Sequence, residues 1–236
     1  MEKSPLHGLK VCLTRERQQS LHLQQQLEEL GAEVLLCPVL QFEPPDDPGP
    51  LVRSLKELSS YDWIIFTSPN GVRFFFEALQ ARNLAPPDCK LACIGPGTQQ
   101  ALSQHGLTAD LMPRESVAES LLEAFQSLPV KGARILLARA QEARMVLPDG
   151  LTERGALVDI VACYKTVKPQ PSPTILGADW VIFMSASAAR NFREIYAMDI
   201  ACLCIGPVTA ATAREVGFRR VLQADSYDQQ GVVDKL

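Results

Sequence analysis

Polar turns follow several apolar runs of this chain, at points where helices should begin. Thr67-Ser68-Pro69-Asn70-Gly71 follows one run, and Ser185-Ala186-Ser187 follows another. Thr98 and Thr209 each come after an Ile-Gly-Pro turn and are predicted to open helices. Ligands of open α/β sheets bind at the carboxyl ends of strands, beside helix N-termini whose amides attract carboxylates and phosphates. Helix capping explains any single turn equally well, whereas the four turns together indicate an anion site.

The turns recur because the chain contains a long internal repeat. Asp62-Trp63-Ile64-Ile65-Phe66 returns as Asp179-Trp180-Val181-Ile182-Phe183, and Cys93-Ile94-Gly95-Pro96 returns as Cys204-Ile205-Gly206-Pro207. A period of roughly 120 residues indicates a duplicated domain, since solenoid repeats are about 20–50 residues long. Two similar lobes are therefore expected, with the ligand in a cleft between them.

Charged residues lie at both ends of the repeated strands. Arg15 and Arg139 follow matching strands at their carboxyl ends, where a guanidinium could pair with a carboxylate ligand through two hydrogen bonds. A solvated charge at the end of a strand is the alternative for each. Asp62 and Asp179 precede their strands, so we expect them to contact helix ends or loops at the opposite edge of the sheet.

Composition and charge narrow the class of protein. A hydrophobic fraction of 47%, with 21% charged residues, describes an ordinary soluble globular chain. The longest apolar runs have the length of strands, which predicts no transmembrane helix, and Met1–Lys10 lacks the apolar segment of a secretory signal. The net charge of −4 argues against nucleic acid as a partner. An anionic ligand would therefore need a locally positive site.

The cysteines and histidines show no pattern of a metal or redox site. The seven cysteines lack such spacing, and several lie within apolar strand-like runs, which predicts buried thiols in a reducing compartment. The three histidines form no ligand cluster. Gly95-Pro96-Gly97 begins like a dinucleotide fingerprint, but Gln100 replaces its third glycine. No metal or cofactor is expected.

Alternating strands and helices with buried strands predict an α/β fold with doubly wound parallel sheets. Proline-rich punctuation falls after the first strand–helix–strand of each copy, near Phe42 and near Lys168. The chain should therefore cross between lobes at these points, so that the first lobe is discontinuous. A short additional strand is expected near Leu111. The predicted regions are residues 1–40 with 167–236 for lobe 1, 43–163 for lobe 2, and two β hinge strands at about 38–42 and 161–167.

In this order and spacing, the motifs resemble those of the uroporphyrinogen-III synthases over essentially the whole chain. The resemblance implies two α/β lobes joined by a two-stranded β ladder, with the active site between them. It also implies a cofactor-independent lyase of haem biosynthesis that cyclises hydroxymethylbilane, inverts ring D through a spiro intermediate and releases water. The matching segments are Leu13-Thr14-Arg15, Pro38-Val39-Leu40, Phe66–Val72, Ile94-Gly95 with Thr98, Val161–Thr166, Phe183–Ser187, and Ile205-Gly206-Pro207 with Thr209.

The resemblance also implies roles for individual residues. Tyr164 matches the tyrosine most often implicated in catalysis, and its hydroxyl is expected to assist or position the departing substrate hydroxyl. A tyrosine that merely packs in a hinge strand is the alternative. Ala186 stands where the family usually has proline, and Val208 replaces a common threonine. The residues expected to bind substrate are Arg15, Ser68, Asn70, Gly71, Thr98, Arg139, Lys165, Ser185, Ser187, Gly206 and Thr209.

The implied ligand is hydroxymethylbilane, a linear tetrapyrrole with many carboxylates. We expect a cytoplasmic monomer that makes transient contact with hydroxymethylbilane synthase and binds neither nucleic acid nor membrane. Two rival classes make different predictions. A hinged, two-lobed binding protein would carry an export signal. A tandem receiver protein would have acidic residues at the strand ends, where Arg15 and Arg139 stand.

Overall fold

The structure, a computed structural model, describes residues 4–236 apart from the side chains of Gln18 and Thr174. Residues 1–3 lie outside this range. They belong to the predicted first lobe and to Met1–Lys10, the segment in which a secretory signal would lie. Short 3₁₀ turns cover Leu58–Ser60, Phe125–Ser127 and Pro173–Ile175. The other elements are β1 Lys10–Leu13, α1 Arg17–Glu29, β2 Glu33–Leu36, β3 Gln41–Glu43, α2 Gly49–Lys56, β4 Trp63–Phe66, α3 Pro69–Gln80, β5 Lys90–Cys93, α4 Pro96–Ser103, α5 Ala118–Ala124, β6 Arg134–Ala140, α6 Val146–Glu153, β7 Leu157–Val167, β8 Trp180–Phe183, α7 Ala186–Tyr196, β9 Ala201–Cys204, α8 Pro207–Glu215, β10 Val221–Gln223 and α9 Gln229–Lys235.

The chain divides into two compact units. Unit 1 comprises Met1–Gln41 and Val167–Leu236, and unit 2 comprises Phe42–Thr166. The sheet of unit 1 has the strand order β10-β9-β8-β1-β2, and the sheet of unit 2 has the order β3-β7-β6-β4-β5. Strand β1 is parallel to β2 and β8, β9 is parallel to β8 and β10, β4 is parallel to β5 and β6, and β6 is parallel to β7. The predicted α/β class with parallel sheets is confirmed.

Strands β4 and β8 are apolar at every position because helices cover both faces of each sheet. In β4, Ile64 and Phe66 join one buried cluster, whereas Trp63 and Ile65 join another. Successive side chains of a strand point to opposite faces, so the two clusters lie on opposite sides of the unit 2 sheet. In unit 1, Val181 and Ile182 of β8 divide between two clusters in the same way. A strand buried on both faces reads as a continuous apolar run.

The repeated aspartates fix the amino-terminal edge of each sheet. Asp62 accepts a hydrogen bond from the backbone N–H of Arg134 at 2.8 Å, and Asp179 accepts one from the N–H of Lys10 at 2.8 Å. Each carboxylate thus ties its own strand to the start of the neighbouring strand. Both aspartates lie at the predicted edge, opposite the helix N-termini, but they contact the starts of strands and not the expected helix ends or loops.

Two predictions about local structure were wrong. Leu111 forms a single bridge with Ala92 instead of a strand, because Pro113 has no N–H with which to extend the ladder. Thr98 and Thr209 do not open helices: α4 and α8 begin at the preceding prolines, and both threonines are buried. Proline at the first helical position has a backbone angle already suited to the helix.

The helices formed by residues 4–236 do not combine the length and hydropathy that crossing a bilayer requires. Within the same residues, no group of His, Cys, Asp and Glu is arranged to hold a metal ion.

None of the seven cysteines, which all lie within residues 4–236, forms a disulfide bond; Cys89 is half-buried, and the other six are buried. Burial raises the pKa of Cys89 to about 11 and that of Cys163 to about 12. Because the thiolate is the reactive form, we expect a thiol reagent at neutral pH to label the folded protein slowly and at Cys89 first. Mass spectrometry of the native protein measures this, with the denatured protein as the control for full labelling. Fast labelling of Cys163 in the folded protein would contradict the described packing.

Candidate functional site

Ser68 forms the N-terminal cap of α3 at the carboxyl edge of the unit 2 sheet. Its backbone is extended after β4, Pro69 is the first helical residue, and its Oγ accepts a hydrogen bond from the N–H of Gly71 at 3.0 Å. A Cβ at Gly71 would lie 3.3 Å from this Oγ and 3.4 Å from the carbonyl oxygen of Ala138. Glycine therefore lets the first turn of α3 approach β6 closely. The predicted capping role of Ser68 is confirmed.

Tyr164 lies on β7 with its hydroxyl oxygen 3.0 Å from Ser68 Oγ. The side chain is buried, with Phe74 stacked on one face at a centroid distance of 5.7 Å and Phe42 edge-on at 5.5 Å. Both distances are in the favourable range for aromatic pairs. The ring is therefore held in one orientation, with its hydroxyl directed to the cap of α3.

An irregularity in the sheet sets the position of Tyr164. Along β6 and β7, Arg139 pairs with Ala162, but the next residue, Ala140, pairs with Tyr164. Cys163 is therefore an extra residue on β7, and such bulges redirect the side chains that follow them.

The Tyr164 hydroxyl is protonated at neutral pH, as in any tyrosine, and its surroundings make it a weaker acid. Burial is the main cause of a raised pKa for Tyr164, while the hydrogen bond with Ser68 lowers this pKa and the nearby Cys163 raises it. A phenol in this state can donate a proton but is a poor base.

The other residues predicted in unit 2 lie in different surroundings. Asn70 is half-buried in the first turn of α3, while Thr98 is 2% exposed in α4. Gly95, which precedes α4, packs against Ser116, whose side chain would clash with an added Cβ. At this end of α4, backbone groups are therefore better placed than the Thr98 hydroxyl to meet a ligand.

Arg139 is buried and holds a loop. It donates hydrogen bonds to the carbonyl oxygens of Ala140, Ala143 and Arg144, and burial lowers the pKa of Arg139. Because one nitrogen has an acceptor at the end of β6 and the other two have acceptors in the loop that follows, this guanidinium stabilises the loop. The hydrogen-bond donors of Arg139 are therefore used by the protein's own carbonyl groups.

Lys165 follows Tyr164 and forms an ion pair with Asp46. Its Nζ lies 2.7 Å from Asp46 Oδ1 and 3.9 Å from Glu43 Oε2. Asp46 also accepts a hydrogen bond from Gln141. Lys165 lowers the pKa of Asp46, and Asp46 raises the pKa of Lys165. The stabilisation from Asp46 is present above the usual pKa of an aspartate and is lost as pH falls through its depressed pKa.

If Lys165 binds a substrate carboxylate, Asp46 competes with that carboxylate. We therefore expect Asp46→Asn to lower KM several-fold with little change in kcat. Glu119→Gln is the matched control, because it breaks an exposed pair with Arg144 in the same unit. Steady-state kinetics at neutral pH measures both variants. An unchanged KM for Asp46→Asn would remove Lys165 from the set of substrate-binding residues.

Unit 1 presents a related arrangement at its own sheet edge. Ser185 caps α7 by accepting a hydrogen bond from the N–H of Ala188 at 3.2 Å, and its Oγ lies 3.1 Å from that of Ser187. Thr209 is 5% exposed. Gly206 is the N-cap residue of α8, and an added Cβ there would lie 3.4 Å from the Tyr227 ring. Arg15, just after β1, is exposed.

Sequence reasoning missed the aromatic side chains that enclose Tyr164. Phe42 and Phe74 fit ordinary apolar patterns, although the run Phe74-Phe75-Phe76 is a hint of an unusual aromatic cluster. Phe75 and Phe76 pack in the core around Phe66, whereas Phe74 contacts Tyr164.

Comparisons with known proteins agree on one family. The family model described as uroporphyrinogen-III synthase HemD matches residues 22–234. The uroporphyrinogen-III synthase of Synechococcus elongatus is 30% identical over 99% of this chain and 96% of its own length. The uroporphyrinogen-III synthase of Escherichia coli is 23% identical over 97% of this chain and 100% of its own length.

Solved structures support the fold. A mutant uroporphyrinogen III synthase from Thermus thermophilus has a TM-score of 0.57 at 23% identity, and the match covers 96% of each chain. The uroporphyrinogen-III synthetase of Helicobacter pylori has a TM-score of 0.58 at 16% identity, covering 96% of this chain and 97% of its own. The two structures share the α/β fold described above.

Proposed function

This chain belongs to the uroporphyrinogen-III synthase family, and on that premise we infer that it closes hydroxymethylbilane to uroporphyrinogen III with Tyr164 as its catalytic residue. The family acts in tetrapyrrole biosynthesis as a cofactor-independent cyclising lyase. One observation supports the role of Tyr164 above all. Its hydroxyl lies 3.0 Å from Ser68, at the sheet edge where open α/β folds bind ligands.

Tyr164 is suited to help the substrate hydroxyl leave. Its hydroxyl is protonated at neutral pH, as in any tyrosine. Although burial raises its pKa and makes it a weaker acid, the hydroxyl can hydrogen-bond to the departing oxygen and give it a proton as the C–O bond breaks. The C–O bond breaks with its electron pair on oxygen, the Tyr164 proton completes a water molecule, and the pyrrole nitrogen supplies electrons to the remaining methylene carbon. After the spiro intermediate rearranges, the ring carbon that closes the macrocycle loses a proton, which restores the Tyr164 hydroxyl.

Selectivity is the main task of this enzyme, because hydroxymethylbilane also closes spontaneously without inverting ring D. A preference of about 3 kcal/mol for the spiro route gives a selectivity above roughly 100-fold. Positioning of the reacting groups can provide this much without a strongly activated acid or base.

Helix N-termini and a few side chains would bind the substrate carboxylates. In unit 2 the donors are at the start of α3, near Asn70 and Gly71. In unit 1 they are Ser185 and Ser187 at the start of α7. The other proposed donors are Arg15, Lys165, Thr98, Gly206 and Thr209. Because the two threonine side chains are buried, the backbone N–H groups at those helix starts would make the contact. Anions at helix N-termini gain from both the free amides and the helix dipole.

A coupled assay tests the function. Hydroxymethylbilane synthase supplies fresh substrate, the products are oxidised, and chromatography separates the porphyrin isomers. We expect mainly type III isomer, whereas the supplying enzyme alone should give the spontaneous type I product. Type I alone from a folded sample would overturn the assignment and would direct attention to Ala186 and Val208.

We also propose that the protein acts as a cytoplasmic monomer that receives its substrate from hydroxymethylbilane synthase by transient contact. Spontaneous closure of the substrate makes a short transit advantageous. Sedimentation of the protein alone tests the monomer. The transfer is tested by adding a catalytically inactive hydroxymethylbilane synthase, which should compete for the contact and raise the fraction of type I isomer.

A further inference from the structure

Ser68 has two partners of different kinds in the proposed site, the N–H of Gly71 at 3.0 Å and the hydroxyl of Tyr164 at 3.0 Å. We propose that Ser68 is a positioning residue that connects the N-terminus of α3 to Tyr164, donating its own proton to the Tyr164 oxygen while Tyr164 donates to the substrate. This inference rests on the proposed catalytic role of Tyr164.

The hydrogen-bond capacity of a serine hydroxyl permits this arrangement. The group has one proton to donate and two lone pairs to accept with. The N–H of Gly71 uses one lone pair of Ser68 Oγ, which leaves the Ser68 proton for Tyr164. The Tyr164 proton then points away from Ser68, and it is available to the departing oxygen.

The N-terminus of α3 makes this chain of hydrogen bonds stronger. The free amides of a helix N-terminus carry a partial positive charge, and hydrogen bonds in a chain polarise one another. As Tyr164 gives up its proton, negative charge grows on its oxygen, and Ser68 is in place to stabilise that charge. Such stabilisation acts on the reaction step more than on substrate binding.

The internal repeat supplies a comparison within the same chain. Ser185 caps α7 as Ser68 caps α3, but its hydroxyl is bonded to Ser187 and not to a tyrosine. When Gly31 is aligned with Gly155, Leu40 stands at the repeat position of Tyr164. The cap is therefore common to both copies, whereas the connection to a phenol belongs to unit 2.

Other charged or titratable groups near Tyr164 have partners of their own or act independently of Ser68. Lys165 is paired with Asp46, and Arg139 is bonded to its loop. Cys163 acts on the pKa of Tyr164 directly, and Arg73 lies over the ring of Phe74 at 4.4 Å. A variant of Ser68 leaves these groups in place, so a change in the titration of the Tyr164 hydroxyl would be due to the loss of the Ser68 hydroxyl.

The first test is spectroscopic and does not depend on activity. The protein has four tyrosines. Replacing them with 3-fluorotyrosine gives four ¹⁹F signals and a lower phenol pKa, so that titration falls in a milder pH range. The Tyr164→Phe variant identifies the Tyr164 signal.

In Ser68→Ala, we expect the Tyr164 signal to titrate at higher pH than in the wild type, while Ser68→Thr restores the wild-type value. The signals of Tyr61, Tyr196 and Tyr227 should not move. Ser185→Ala is the matched control, since it removes an equivalent cap without touching Tyr164. An unchanged Tyr164 titration in Ser68→Ala would overturn the proposal.

The second test is a double-mutant cycle in the rate of type III formation. Ser68→Ala should lower kcat about tenfold, a change equivalent to about 1.4 kcal/mol in the barrier, with KM within about twofold of the wild type. In the Tyr164→Phe background, the same replacement should have no further effect on kcat, because coupled residues are not additive.

The two tests separate the possible failures. Equal effects of Ser68→Ala in both backgrounds would mean that Ser68 acts without Tyr164, and they would overturn the connection. A Tyr164→Phe enzyme with the wild-type rate would overturn the proposed catalytic role of Tyr164, while the titration would still show whether Ser68 and Tyr164 are connected.

Discussion

Tyr164→Phe is expected to slow the formation of type III isomer by about 100-fold or more, the usual contribution of a positioned proton donor. The ring remains between Phe42 and Phe74, and Ser68 keeps its bond to Gly71. Loss of the single hydroxyl should therefore lower the free energy of unfolding by no more than about 1.5 kcal/mol. The coupled assay measures the rate, and urea denaturation measures the stability. The share of type I isomer should rise because spontaneous closure continues.

Tyr61→Phe is the matched control for this prediction. Tyr61 is buried in the same unit, and its hydroxyl donates to Asp159 at 2.7 Å near the amino-terminal edge of the sheet. Its loss should destabilise unit 2 to a similar degree while leaving the rate unchanged. If Tyr61→Phe slowed the reaction as much as Tyr164→Phe, the effect would reflect loss of structure. Near wild-type turnover of Tyr164→Phe would refute its catalytic role.

Phe66→Ala is expected to lower the free energy of unfolding by about 3–5 kcal/mol, as for other large-to-small changes in a core. Phe66 is fully buried at the end of β4, with its ring centroid 5.2 Å from that of Phe75 and 6.2 Å from that of Phe76. The cavity would lie two residues before Ser68. We therefore expect the rate of type III formation to fall as well.

The equivalent change in unit 1 distinguishes a general loss of stability from an effect on the surroundings of Tyr164. Phe183 is also fully buried, with ring contacts to Phe192 and Phe218. Phe183→Ala should destabilise unit 1 by a similar amount and leave the ¹⁹F titration of Tyr164 unchanged, whereas Phe66→Ala should alter that titration. Urea denaturation with hydrogen exchange assigns the loss to each unit. A loss below about 1 kcal/mol for Phe66→Ala would contradict tight packing at this position.

Several features followed from the sequence because they depend on residues close together in the chain. Apolar runs separated by helical segments predicted parallel sheets, and the order of the repeated motifs indicated the family. Ser68, placed between a strand and Pro69, predicted a helix cap. Each of these features depends on local backbone preferences or on the spacing of apolar residues along the chain.

The tertiary structure decided which polar groups meet. Ser68 and Tyr164 are 96 residues apart, and Asp46 and Lys165 are 119 residues apart. Their contacts depend on strand order and on the extra residue Cys163 in β7, which no short window of sequence contains. Arg139 and Arg15 look alike in the sequence, yet the loop after β6 folds back over Arg139 and buries it. The sequence by itself thus determined the elements and the family, whereas long-range packing determined which side chains are near Tyr164 and which are occupied elsewhere.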